Sequence, residues 1–346
     1  MTTLATAVAS RQVSVLGVSA GVKCSDSQIL RWLEFDFSQF LLRSSSASKC
    51  DINLAVFIEQ PQAETIPPLD EMMHTPKFVC FEDGSMRYVN YQDKAIAVYD
   101  YASDSGSIYC NDLTEAYERL YLTLLSRIGE KLDVRGVHRV HSLGITYKDQ
   151  PCLFLIPQGG GKTTLAMSLL NRQGVKLLSE DTPFINASGK VFPFPFRLGV
   201  TNGENTEAIP DQFKRLAGRQ SGGYKVLIDL TCFADRIERR ERPNQYVFCG
   251  RWTNGKEPRI VPMSKFAALK YFMRDCVFGL GLPQVIEFFL QSGLKGSMKK
   301  GWIAASRLQA SIAIVARSSC YQVYLCRDRT KNVSKIVSFL SQHVEG

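Results

Sequence analysis

The run Leu153-Phe154-Leu155-Ile156-Pro157-Gln158-Gly159-Gly160-Gly161-Lys162-Thr163-Thr164-Leu165 is the stretch of this chain whose residue types are best suited to chemistry. An apolar strand feeds a glycine turn, and the turn feeds a helix predicted over Thr163–Leu170. Glycines let backbone N–H groups curl around phosphate oxygens with no side chain in the way. The helix start adds unpaired N–H groups and the positive end of its dipole. Gly159, Gly160, Gly161, Lys162, Thr163 and Thr164 are therefore the candidate nucleotide-binding residues, with Lys162 along the outer phosphates and the Thr163 hydroxyl offered to Mg²⁺. The full pattern, Gly-x-x-x-x-Gly-Lys-Ser/Thr, calls for glycine at 156, where this chain has Ile156. Glycines ahead of a helix also serve as plain tight turns, so the loop alone leaves both readings open.

A second feature is the acidic pair Glu180-Asp181, which follows a short strand predicted over Val175–Leu178. A carboxylate at the end of a neighbouring strand is where a P-loop protein holds Mg²⁺. A second carboxylate beside it can take the proton from an attacking hydroxyl. The alternative is an acidic turn, since Asp181-Thr182-Pro183 has turn chemistry. A third feature is His141, one of four histidines, placed on the strand before the loop, where a structural role is the ordinary alternative. A loose phosphoryl transition state needs positive charge on its oxygens more than covalent help. Arg197, Lys225 (after Gly222-Gly223) and Arg251 (after Phe248-Cys249-Gly250) lie at ends of predicted strands and are candidate cations for it, with a surface or salt-bridge role as the alternative for each; Arg197 is taken as the catalytic candidate.

The elements that must carry these residues are legible from periodicity and turn chemistry. In residues 1–130, Gln12–Val22 reads as a strand, Ser25–Phe40 as an amphipathic helix and Ile52–Ile58 as a strand. Phe78–Phe81 and Met86–Tyr91 flank Glu82-Asp83-Gly84-Ser85, a hairpin signal because Asp-Gly suits positive φ. Ala95–Tyr101 continues the meander. Asn111 is the expected cap of a helix with Leu113, Ala116, Tyr117, Leu120, Leu124 and Ile128 on one face. Residues 1–130 are thus an N-terminal α+β lobe without a chemical motif. Residues 131–346 form the P-loop domain. There His141–Thr146 and Cys152–Ile156 read as strands around the turn Lys148-Asp149-Gln150, and Val191–Phe196 is extended by its prolines. Further strands are expected at Lys225–Leu230 and Tyr321–Leu325, with helices near Ser264–Phe272, Pro283–Gln291, Ile303–Val315 and Val333–Gln342.

Composition narrows the partners. The chain has 346 residues, 45% hydrophobic and 22% charged, which suits one large or two ordinary globular domains. A net charge of +9 favours anionic partners such as nucleotides. The densest basic run, Arg236–Arg242, also carries glutamates, and no aromatic-basic interleaving of the kind that stacks bases is present, so nucleic acid is not the expected partner. None of the ten cysteines forms a Cys-x-x-Cys pair, which argues against metal knuckles and for buried free thiols in a reducing compartment. No stretch of about 18 apolar residues exists to cross a membrane, and the N-terminus lacks a signal-peptide pattern. The expected location is cytoplasmic.

Taken in order, His141, the Gly161-Lys162-Thr163-Thr164-Leu165 loop and Leu177-Leu178-Ser179-Glu180-Asp181 resemble the HPr kinase/phosphorylase family, and more loosely phosphoenolpyruvate carboxykinase. The resemblance is good over roughly 135–200 and looser to the C-terminus. It implies a mixed α/β, carboxykinase-like P-loop fold, the HPr kinase C-terminal type, with flanking helices rather than a doubly wound sheet. It further implies ATP and Mg²⁺ as cofactors, Glu180 as the base toward the acceptor hydroxyl, Asp181 with Thr163 on the metal side, and His141 near the acceptor or the transferred phosphoryl group. Homo-oligomers are common among such proteins. The family's Arg-Gly-x-Gly signature is only hinted at by Arg197-Leu198-Gly199, and glutamate replaces the first aspartate of the pair. The expectation is therefore an ATP-dependent kinase acting on a serine of a peptide or protein, or on a small hydroxyl compound, rather than on the carrier HPr. The alternative is an ATP-binding regulatory module with a degenerate loop and little transferase activity. A carboxykinase-type lyase would need a longer chain and further ligand residues.

Overall fold

A computed structural model describes residues 9–42, 50–157, 159–201, 206–218, 224–279 and 294–344. The chain is mixed α+β and divides into two compact units, Met1–Lys131 and Leu132–Gly346. The predicted helix at Pro283–Gln291, Gln158 and the Gly222-Gly223 pair lie outside the described residues.

The first unit is built on one eight-stranded sheet. Its strands are β1 (Ala9–Val15), β2 (Val18–Cys24), β3 (Ile52–Phe57), β4 (Met73–His74), β5 (Val79–Asp83), β6 (Met86–Asn90), β7 (Ala95–Asp100) and β8 (Ser105–Cys110), in spatial order β1-β2-β3-β8-β7-β6-β5-β4. The pairs β2/β3 and β3/β8 are parallel. Helix α1 (Ser27–Asp36) packs on β1 and β2, and α2 (Leu113–Val134) meets α1 where the Tyr117 hydroxyl donates to the Trp32 carbonyl at 2.9 Å. Three readings change here. Gln12–Val22 is a hairpin, because Leu16 and Gly17 turn the chain at positive φ (49° and 78°) inside an apolar run that carries no polar turn signal. Ser105–Cys110 is a further strand, its small residues lacking a clear apolar alternation. The helix that begins at Leu113 is capped by Asp112, whose carboxylate accepts from the Glu115 N–H at 2.8 Å, rather than by Asn111.

The second unit carries the candidate site. Its strands are β9 (Val137–Arg139), β10 (Leu143–Tyr147), β11 (Gln150–Leu155), β12 (Val175–Ser179), β13 (Phe184–Asn186), β14 (Lys190–Phe192), β15 (Leu198–Thr201), β16 (Lys214–Gly218), β17 (Tyr224–Ile228), β18 (Arg242–Pro243), β19 (Tyr246–Trp252), β20 (Arg259–Pro262) and β21 (Ser319–Leu325). Its helices are α3 (Lys162–Leu170), α4 (Lys265–Phe272), α5 (Leu294–Arg317) and α6 (Arg329–Val344). The main sheet runs β12-β10-β11-β19-β21-β20 and is mixed: β11/β19 and β19/β21 are parallel, the other pairs antiparallel. The β10–β11 hairpin turns on Lys148 and Asp149, both at positive φ.

This sheet is buried on both faces. Cys152, Phe154 and Ile156 point into one core with Leu165, Leu169, Val333, Ile336 and Leu340, residues of α3 and α6. Leu153 and Leu155 point into the other with Val247, Cys249, Ala268, Phe272, Ala310 and Ile314, which belong to β19, α4 and α5. A strand covered on both sides needs an unbroken apolar run instead of an alternating one, and Cys152–Ile156 is that run. Two smaller sheets, β18-β14-β13-β9 and β15-β17-β16, complete the unit. All ten cysteines are free thiols, and all but Cys232 are buried. No described helix is long and apolar enough to cross a membrane.

Candidate functional site

The glycine loop joins the end of β11 to the start of α3. Gly159 and Gly161 adopt positive φ (73° and 77°), a conformation other residues reach only at a cost. The Gly160 N–H donates back to the Pro157 carbonyl at 2.9 Å and tightens the turn. Gly161 is the residue before the helix, and no side chain caps α3 there. The first-turn N–H groups at Lys162, Thr163 and Thr164 are thus presented without a competing side-chain acceptor, which is the anion-binding arrangement of a helix start.

Ile156 stands where the usual loop pattern has glycine, and two other glycines make room for it. A Cβ on Gly160 would lie 2.5 Å from Ile156 Cγ2, and one on Gly250 would lie 2.6 Å from Ile156 Cγ1. The isoleucine is 2% exposed and fills the underside of the loop, with β19 lending a glycine across the parallel pair Leu155/Cys249. Its carbonyl accepts from Lys162 Nζ at 2.9 Å.

The acidic pair reaches the loop from the end of β12. Opposite that end the β10/β12 register shifts at Gly144/Ile145, an irregularity of the kind that re-aims side chains. The Thr163 hydroxyl donates to Glu180 Oε1. Lys162 Nζ stands 3.7 Å from Asp181 Oδ1, and His141 Nε2 stands 3.0 Å from the same oxygen. A carboxylate only accepts, so the proton of this pair is on Nε2. The segment before β10 is pinned by backbone bonds: Val140 N–H to Pro183 O, His141 N–H to Asp275 O and Ser142 N–H to Asp181 O, at 3.0, 2.9 and 3.0 Å. His141 is therefore in that segment and not within a strand, which begins at Leu143.

The charges are unequal in acidity. Burial, with the neighbouring Asp181 charge, pushes Glu180 up to about 7, against the opposing pull of Thr163, Lys162 and Lys225. Burial also opposes Asp181 ionisation, but 44% of its side chain stays exposed, and the His141 hydrogen bond with the charges of Lys162 and Lys225 holds it below the usual carboxylate range. Burial lowers Lys162, countered by Asp181, Glu180 and Asp275.

The structure thus brings together Lys162, Thr163, Glu180, Asp181 and His141. It pairs Thr163 with Glu180, where the expectation paired it with Asp181. Arg197 stacks its guanidinium 5.2 Å above the Phe196 ring. The cation that acts on the acidic pair besides Lys162 is Lys225, on β17. Arg251 donates to the Tyr271 hydroxyl at 3.0 Å. Sequence reasoning missed Arg274 and Asp275, which form a two-bonded pair (2.6 Å each) in a π-helical turn, Met273–Val277, after α4. Both act on Lys162. Nothing in their local sequence marks them, although π turns recur at functional sites. Among the described residues no group of three or more His, Cys, Asp or Glu side chains gathers as a metal cage. Compared with protein-family models and with curated proteins, the chain finds no match in either.

Two outcomes are expected. Gly250→Ala forces a Cβ against Ile156 and destabilises by about 1–3 kcal/mol. Adding Ile156→Ala relieves the clash, so urea unfolding of the double variant shows a loss well below the sum of the singles. Additive losses contradict the steric account. The second concerns pH. Burial and the Asp181 charge push Glu180 up to about 7 in the native protein, above the ordinary carboxylate range of the unfolded chain. The stability this group contributes is full below the lower value and is lost as pH rises through the higher one. In the absence of divalent cations, Glu180→Gln therefore melts higher relative to wild type at pH 8 than at pH 5. A pH-independent difference contradicts the shift.

Proposed function

We propose that this chain is an ATP-dependent phosphotransferase that moves a γ-phosphoryl group onto a hydroxyl, on a carboxykinase-like P-loop fold related to that of HPr kinase/phosphorylase. The observation that carries this reading is the convergence of Lys162, Thr163, Glu180, Asp181 and His141 at the uncapped start of α3. A mixed sheet with helices on both faces supports the fold part of it.

The loop N–H groups and the α3 dipole take the phosphates, and Lys162 neutralises their outer oxygens. Thr163 Oγ1 and the Glu180 carboxylate are adjacent hard oxygen donors that fit Mg²⁺, an ion that keeps part of its shell for phosphates and water rather than a protein cage. Bound there, it would offset charge on the phosphate oxygens. The contacts favour exchanging the two carboxylate roles. Glu180, on the Thr163 hydroxyl, is the metal-side group. Asp181, oriented by His141, is the acceptor-side base. The acceptor O–H gives its proton to Asp181 as its oxygen bonds to the γ-phosphorus. The bond from that phosphorus to the bridging oxygen breaks, and ADP leaves with the electron pair. Lys225 adds positive charge to the site, in the place first given to Arg197. The acceptor is a serine in a peptide or protein, or a small hydroxyl metabolite.

A second reading is an ATP-binding regulatory module. The Lys162 ammonium bonded to its own loop at Ile156 favours it. The two separate in one experiment. With γ-labelled ATP and Mg²⁺, label is expected on a member of a panel of free serine, serine peptides and hydroxyl metabolites. Asp181→Asn is expected to cut that rate by about 10²-fold or more, with ATP still bound. Binding without transfer to any acceptor supports the module. Full transfer in Asp181→Asn removes the assigned base.

A further inference from the structure

β19 outlasts β11 at the site. Leu155, the last residue of β11, pairs with Cys249, while β19 continues through Gly250 and Arg251 to Trp252. Side chains on a strand alternate, so Trp252 lies on the same face as Gly250, the face that Ile156 packs against. That face is the loop side. The indole stands over the glycines: its Nε1 is 3.5 Å from where a Cβ on Gly160 would be, and its Cζ2 is 3.5 Å from the same point on Gly161. The backbone beneath it is held on the sheet, with Trp252 paired to Leu325 and the Thr253 N–H donating to the Leu325 carbonyl at 2.9 Å. Yet 49% of the residue is exposed. A large ring fixed at its base and half open beside an anion-binding loop has no core to fill.

We propose that Trp252 is the platform on which the base of the donor nucleotide stacks, so that the site selects a purine nucleoside triphosphate over a pyrimidine one and over bare triphosphate. This rests on the phosphate-loop reading above. The indole contributes no charge to the phosphates, and a half-exposed flat aromatic ring is the kind of group on which a base stacks. A two-ring purine covers more of it than a one-ring pyrimidine. The neighbouring guanidinium of Arg251 is turned to Tyr271, which leaves the ring as the group available to the base.

The test is calorimetric titration of ATP, CTP and inorganic tripolyphosphate, each with Mg²⁺, into wild type, Trp252→Phe and Trp252→Ala. Wild type is expected to rank ATP first. Trp252→Ala is expected to lose about ten-fold or more of its ATP affinity, with tripolyphosphate affinity unchanged and Trp252→Phe between. Equal ATP affinity in wild type and Trp252→Ala overturns the proposal while tripolyphosphate binding leaves the loop reading standing. No binding of tripolyphosphate or ATP to wild type overturns both. A second measurement needs no change at the site. In the chain carrying Trp32→Phe and Trp302→Phe, ATP is expected to quench the remaining indole emission and tripolyphosphate to leave it. An equal response to the two ligands overturns the proposal.

Discussion

Two adjacent carboxylates held beside a 7%-exposed lysine are the constraint on which the rest of the site depends. Burying like charges side by side is costly unless positive charge compensates them. Here the compensation comes from several elements at once. Lys162 is delivered by the first residue of α3, Lys225 by β17, and the His141 ring by a segment pinned to Pro183 and Asp275. The contacts hold Asp181 below the usual carboxylate range, while burial pushes Glu180 up to about 7. The site therefore has one fixed negative charge and one adjustable one, next to a helix start that lacks a capping side chain. Such a place can take an anion at the N–H groups and, at its carboxylate oxygens, a hard cation. In the proposed reading, a nucleoside triphosphate with its divalent ion supplies the two together.

A steric exchange underlies the electrostatics. Ile156 occupies the start of the loop, and the volume it needs is given up at Gly160 and Gly250. The exchange keeps the turn tight and ties the loop to β19, the strand that also carries Trp252. Loop and strand thus form one packed unit, in which the glycine turn and the Trp252 ring beside it are set by the same contacts.

Much of this was legible from residue types. The apolar run Cys152–Ile156 marked a strand, and the Lys148-Asp149-Gln150 turn placed its partner. The glycine loop, the acidic pair and His141 could each be picked out, because short motifs carry their chemistry in local spacing. What was not legible depends on distance in space. Leu16-Gly17 turns a hairpin inside apolar residues, so periodicity alone ran β1 and β2 together. Arg274 and Asp275 sit in an ordinary-looking helical stretch and reach the site only through the π turn and the packing of α4. That Lys225 acts on the carboxylates depends on how its strand packs in space, and spacing along the chain does not encode that. The pairing of Thr163 with Glu180 rather than Asp181 depends on how the end of β12 is re-aimed, again a property of the register.

The central claim is that the Gly159–Thr164 loop binds the phosphates of a nucleotide through Lys162. It is tested most directly by thermal unfolding of wild type and Lys162→Ala with and without Mg-ATP, since a ligand bound by the native state alone raises its melting temperature. The account predicts a clear rise for wild type that grows with ATP concentration and is absent in Lys162→Ala. An equal rise in both, or none in wild type, would contradict it.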